Sequence, residues 1–320
     1  MNTRLKILKP YLPFVMIIPL ASFPNRLVQK WRWMIRWFLF PKLRISGARI
    51  TENTVNTNSR LVLNKSHTLG EKNFVIEVPK DKVIFEHVKR LGHWEMEVCL
   101  FLSNGLREIS TREKKIGTLV DLGANSGLIS LQVGRMVNSK AAMVLVEPIL
   151  MHVEAINFNL STLREKCDIR IFPIALGRRN ERLDIYSDVD NFGNTSLSIN
   201  AMPDNNYLSQ KIDVVDARDW AVTNLDESEF FVIKSDLQGH DALVLSRIPE
   251  RIWEKTERAV VEIWASKEID VNDVSGCIRM WGMHKRLSWD WAGKLTCTPE
   301  EVRTFWLSQD NTQRNLYISR

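Results

Sequence analysis

The chain is poor in features that assign a class at a glance. No acidic residue precedes Glu52, and no uninterrupted apolar run reaches the span of a bilayer. Four cysteines in 320 residues (Cys99, Cys167, Cys277 and Cys297) stand far apart, with no CxxC pair and no histidine at ligand spacing. That argues against a zinc site and a disulfide-stapled fold, and it suits a reducing compartment. The longest early apolar run, 11–23, has 13 residues and is broken by Pro13 and Pro19. A spanning helix needs about 20 apolar residues. Repeats and low-complexity tracts are also absent. With 44% hydrophobic and 26% charged residues, the chain reads as globular, with length for one large domain or two modest ones.

The missing early acids leave a basic leader. Nine basic residues from Arg4 to Arg44 precede the first acid, and the rest of the chain carries 35 basic against 38 acidic residues. The overall charge of +6 therefore belongs to the leader, and the remainder offers no basic stripe for nucleic acid. Within the leader, Trp31, Trp33, Trp37, Phe38 and Phe40 interleave with Lys30, Arg32 and Arg36. This pattern fits a helix packed on the main domain with snorkelling basic ends. It fits equally a peripheral contact, through residues 11–44, with an anionic membrane surface. A secretory signal is disfavoured by the poor cleavage context "ASFPN". The expected division is 1–50 leader, 51–70 Asn/Thr-rich linker or edge strands, and 71–320 main domain. The expected location is cytoplasmic, with the leader offered to the inner face of a membrane.

From residue 117 onward, short β-branched runs alternate with amphipathic stretches. The runs are "GTLVDLG" (117–123), "AMVLVEP" (142–148), "IRIFPIAL" (169–176), "FFVIKSD" (230–236) and "AVVEIW" (259–264), and helical patterns fall at 126–137, 149–161 and 240–247. Such alternation predicts a mostly parallel sheet with helices on both faces. "RNLYI" (314–318) fits a final strand, and "LSWDWAGKL" (287–295) a hairpin or loop at the sheet edge. In such sheets ligands bind beyond the carboxyl ends of the strands, which draws attention to Asp121, Glu147, Ala175 and Asp236.

The turn "VDLGANSG" supplies conformational freedom where strand becomes helix: Gly123, Asn125 and Gly127 tolerate left-handed backbone. Glu147 follows Asp121 by 26 residues, at the end of the next run, where an acid accepts from both ribose hydroxyls of an adenosine cofactor. NAD requires G-x-G-x-x-G, and here position 128 is leucine. An acid just before the first glycine repels a pyrophosphate but suits a cationic amino-acid group. The loop therefore favours S-adenosylmethionine over NAD.

The quoted residues also resemble a known family, the FkbM-type methyltransferases. The likeness rests on "GHWE" (92–95), "VDLGANSGLIS" (120–130), "VEPILMHVEAINFNL" (146–160), "FPIALG" (172–177), "NTSL" (194–197) and "VIKSDLQGHDALVL" (232–245). It implies a Rossmann-like, seven-stranded class I methyltransferase sheet and transfer of methyl from S-adenosylmethionine to a hydroxyl oxygen. The family's later pattern is K-x-D-x-E-G-x-E; this chain has Gln238 and Asp241 at its two glutamate positions.

Expected roles follow. Asp121 lies near the cofactor amino group, Glu147 on the ribose or capping its helix, Gly123, Asn125 and Gly127 in the loop, and Ala175 beside the adenine or simply packed. Glu95 closes over the methionine end by resemblance alone. The reacting end draws on Lys234, Asp236, His240 and Asp241, with Asp236 first as base and His240 second. No metal site stands out. The expected acceptor is a small molecule or saccharide, and Trp289 and Trp291 fit either a stacking platform or the core. The competing readings are a non-catalytic cofactor-binding module and an NAD-linked oxidoreductase.

Overall fold

The computed structural model describes residues 49–50, 58–63, 74–79, 82–137, 140–188, 190–196, 207–225, 229–265 and 269–320. The membrane-contact expectation for 11–44 lies outside them. Among the described residues no helix is long and apolar enough to cross a membrane.

The main sheet is built from β1 Gly117–Leu122, β2 Ala141–Val146, β3 Cys167–Phe172, β4 Phe230–Ser235, β5 Thr256–Trp264, β6 Arg286–Ser288, β7 Thr296–Cys297 and β8 Gln313–Ser319. Its spatial order is β7-β6-β8-β5-β4-β1-β2-β3. Strands β1 to β5 run parallel, while β8 pairs antiparallel with both β5 and β6. An antiparallel strand slotted beside β5 distinguishes the class I methyltransferase sheet from the dinucleotide-binding order 3-2-1-4-5-6. The count is eight rather than seven because β7, two residues long, closes the "LSWDWAGKL" hairpin against β6.

The inner parallel strands β1, β2 and β4 are buried on both faces, and their alternate residues feed two cores. Leu119, Met143, Leu145 and Val232 face one cluster, shared with α2 Met96–Arg112, α3 Leu128–Met136 and α4 Leu150–Leu160. Val120, Val144, Phe231 and Ile233 face the other, shared with α5 Ala217–Asn224, where Trp253, Trp281 and Trp306 are buried. Trp281 and Trp306 stack with ring centroids 5.9 Å apart, so these tryptophans are core. Short α1 Ile84–Leu91 ends at Gly92, whose φ of 70° turns the chain into the "GHWE" loop before α2.

Two smaller sheets were not foreseen as such. Strands 49–50, 58–63 and 74–79 pair antiparallel, so part of the 51–70 segment is strand. Residues 175–177, 181–188, 191–196 and 207–216 form a four-stranded sheet. The expected run "IRIFPIAL" is therefore two strands: β3 stops at Phe172, and Ala175–Gly177 pairs parallel with the second sheet. Pro173 between them has no N–H to offer a ladder.

The tightest junction is Gly123. Its φ is +73°, and a Cβ there would lie 2.0 Å from the backbone oxygen of Asp236. Gly293 has a similar φ of +68° but open space around it. Gly123→Ala should cost about 3 kcal/mol or more, and Gly293→Ala only about 1 kcal/mol. Urea unfolding of the two variants measures the difference; equal losses would mean that backbone conformation alone, not the contact with Asp236, makes glycine necessary.

Candidate active site

Strand register alone brings the predicted acids together. Leu122 pairs with Val146 on one side and Ser235 on the other, and Ser235 pairs with Val261. One residue further along each strand lie Glu147, Gly123, Asp236 and Glu262, a row across the carboxyl ends of β2, β1, β4 and β5. Glu262 was not singled out in the sequence. The signal was a lone acid inside the apolar run "AVVEIW", but its neighbour could not be known before the strand order.

At the centre of the row Lys234 is buried, and its Nζ donates to the Gly123 carbonyl at 2.6 Å. It lies 3.3 Å from Asp121 Oδ1 and 3.7 Å from Asp236 Oδ2. Burial disfavours the ammonium, but the carboxylates of Asp121, Asp236 and Glu95 outweigh it and hold its pKa above the ordinary lysine value. Asp121 has 0% exposure; Oδ2 accepts from Ser130 at 2.7 Å, while Oδ1 has no hydrogen-bond partner and meets only the Lys234 charge.

Asp236 is half-buried, with a third of its side chain exposed. Gln238 Nε2 donates to Asp236 Oδ1 at 2.8 Å and lies 3.5 Å from Glu262 Oε2. Burial first, and then the Asp236 carboxylate, push the Glu262 carboxyl far above the usual range. Asp241, the first residue of α6 Asp241–Leu245, is fully buried, and its carboxylate accepts from Ser235 Oγ and the Leu237 amide. It ties the 235–241 turn together from below. Burial pushes it up to about 7. His240 precedes α6 and is exposed.

Glu95 joins the group from above. The Gln132 amide clasps the loop before it, donating to Trp94 O at 2.8 Å and accepting from Trp94 N at 3.1 Å. Glu95 itself has left-handed backbone, φ 39°. Solvent reaches it, yet protein surrounds its carboxyl on most sides; burial and then Asp236 push the group up to about 7.

The loop backbone is left-handed where the sequence allowed it, with φ 49° at Asn125 and 73° at Gly127. Glu147 is buried: Oε2 accepts from the Asn125 amide at 2.8 Å and Oε1 from the Ile149 amide at 2.9 Å, beside His152 Nδ1 at 3.2 Å. The helix-capping alternative for Glu147 thus has direct geometry behind it, and Oε2 keeps capacity for one more donor. Asn159 ties α4 to Ser126 and Glu77. Ala175 is not brought to the acids; it packs in the second sheet beside Ile149 and Val214. Trp264, at the end of β5, lies 3.4 Å from where a Gly239 Cβ would stand. Trp289 packs on Phe305 and under Arg314, while Trp291 is 37% exposed.

The cavity of about 550 Å³ lies elsewhere, at the amino ends of β1 to β4, between Ile116, Lys140, Cys167 and Glu229. Its charges are of both signs, and the Glu229 carboxylate is held by Thr118 at 2.8 Å. Among the described residues no group of three acidic, histidine or cysteine side chains is arranged to hold a metal ion.

No protein-family model and no curated protein sequence matches the chain. Among solved structures, the bifunctional kinase-methyltransferase WbdD is similar at 12% identity and a TM-score of 0.40, over 74% of this chain and 42% of that one. The precorrin-6y C5,15-methyltransferase of Geobacter metallireducens is similar at 9% identity and a TM-score of 0.32, over 70% and 89%. EvdMO1 follows at 8% and 0.34, over 68% and 40%. The chain thus spans about two fifths of WbdD. Identities and scores this low leave the chemistry to the residues themselves.

The buried Asp241 gives a pH test. Its folded pKa near 7 lies above the unfolded value of 3.8, so the native state holds the extra proton and stability falls as pH rises across that window. The slope is at most about 1.4 kcal/mol per pH unit for one group. Asp241→Asn keeps an acceptor for Ser235 and Leu237 without the charge. It should gain steadily on the parent in urea as pH rises from 5 to 7 and keep that gain above pH 7; a constant difference across that range would remove Asp241 as a titrating group.

Proposed function

We propose that this chain is an S-adenosylmethionine-dependent methyltransferase acting on a hydroxyl of a saccharide, glycolipid or secondary metabolite. The observation that carries the reading is charge: Asp121, Asp236, Glu95 and Asp241 surround the single ammonium of Lys234 at the sheet's carboxyl edge, and Glu262 adds a fifth carboxyl beside Asp236. A cleft with that surplus suits a ligand bearing a sulfonium and an ammonium, and it repels a pyrophosphate. The loop fits as well. Gly123 and Gly127 give the loop its left-handed turns, and Glu147 Oε2 keeps acceptor capacity for a ribose hydroxyl.

When bound, the cofactor supplies an electrophilic methyl group. The remaining work falls to the chain. Asp236, half-buried and held by Gln238, accepts the proton of the acceptor hydroxyl, a contribution of about 10²- to 10⁴-fold. His240 is the alternative base. Lys234 and Asp241 are positioning residues: both are buried, one holding Asp236 and Gly123 together and the other fixing the turn that carries Gln238. Asp121 has no surface of its own and adds charge beneath the loop. A lipid-linked acceptor accords with the basic aromatic leader.

Gln238 favours a second reading, a module that binds the cofactor without turnover, since it removes a carboxylate from the cluster.

Titration calorimetry with S-adenosylmethionine and NAD should show binding of the first alone, with Glu147→Gln weakening it about tenfold by the loss of one charge-assisted contact. Asp236→Asn should bind within a few-fold of the parent and transfer label to a responsive saccharide or glycolipid acceptor at least about 100-fold more slowly. A folded sample that binds neither ligand sinks the assignment; binding without transfer across a broad acceptor panel moves it to the second reading.

A further inference from the structure

Glu262 and Gln238 acquire a shared meaning from their neighbours. Strand register places Glu262 abreast of Asp236, and Gln238 Nε2 sits between the two carboxyls, 2.8 Å from one and 3.5 Å from the other. Gln238 is held there by a left-handed backbone, φ 51°, next to Gly239 at φ 94°. Two carboxyls in one site repel when both are ionised, so such pairs retain a proton.

The surroundings reinforce this. Asp121 on β1, Asp241 on α6, and Glu95 and Glu97 at the start of α2 are all acidic, and Lys234 on β4 is the cation that answers them. His240 lies exposed just beyond Gly239. Lys234 is already engaged by Gly123, Asp121 and Asp236.

We propose that Asp236, Gln238 and Glu262 form a proton-holding unit: Glu262 keeps a proton, shared toward Asp236, while the cleft is empty, and releases it when a sulfonium cation settles at the strand ends. The inference rests on the cofactor reading above and assigns Glu262 as a positioning residue acting through Asp236. The proton passes to solvent and no other bond changes. Raised pKa at Glu262 in the empty cleft agrees with it, and an added cation acts in the opposite sense. Its consequence is that cofactor arrival itself turns the carboxyl pair into a base with room for the acceptor's proton.

The test compares S-adenosylmethionine with S-adenosylhomocysteine, which share every charged group except the sulfonium. Each is titrated into the full chain near neutral pH in phosphate and in Tris, whose ionisation enthalpies differ, and the dependence of the binding heat on buffer counts the protons released. S-adenosylmethionine should release more, the excess approaching one proton. Glu262→Gln should abolish the excess while still binding both ligands, and Gln238→Glu, which adds a carboxyl, should enlarge it. Any release from His240 that is insensitive to the sulfonium cancels in the comparison. Binding of both ligands with equal proton release overturns this inference alone; binding of neither overturns the cofactor reading and this inference with it.

Discussion

The buried Lys234 ammonium is the interaction on which the functional end of this protein depends. A lone charge taken out of water costs several kcal/mol, so lysine at that position requires carboxylates around it. Asp121 and Asp236 supply them, and the 2.6 Å bond to Gly123 O spends a third donor on the loop itself. One ammonium cannot neutralise five carboxyls, however. Burial and the neighbouring carboxylates raise Glu95, Asp241 and Glu262 together. The charge of the cleft is therefore adjustable, a property of the cluster rather than of any one residue.

Backbone strain follows the same line. Glu95, Asn125 and Gln238 all hold left-handed conformations, at φ 39°, 49° and 51°, and each flanks the carboxyl edge of the sheet. Such geometry costs about 1 kcal/mol or more apiece for residues with a Cβ and persists only where the surroundings enforce it. The enforcers are visible. Gln132 clasps the turn before Glu95, Glu147 holds the Asn125 amide, and Asp241 ties both ends of the turn containing Gln238. Buried polar side chains here spend their hydrogen bonds on holding loops in shape.

Much of this was legible in the sequence because parallel strands buried on both faces read as continuous apolar runs. "GTLVDLG", "FFVIKSD" and "AVVEIW" fall on β1, β4 and β5, and "RNLYI" on β8. The loop glycines announced themselves by type and spacing. What escaped was information carried by pairing. The second sheet alternates buried and exposed residues in a polar stretch, 181–188 and 207–216, which has no apolar run to mark it. Ala175 was drawn toward the cleft by the run before Pro173 and instead belongs to that sheet. Glu262 escaped for a similar reason: only the order β5-β4-β1 makes it a neighbour of Asp236, although the two are 26 residues apart.

The departure at Gln238 changes character once those neighbours are known. A third carboxyl at that point would face Asp236 and Glu262 and add to the crowding of like charge there. An amide reverses the local interaction, since Nε2 donates where a carboxylate would repel. Proton acceptance does not have to reside at position 238, because Asp236 is the more exposed group and is the one the amide orients. Glutamine there removes one negative charge and fixes the two carboxyls that remain. The substitution is thus compatible with turnover on physical grounds, and it leaves one negative charge fewer among the carboxyls gathered there.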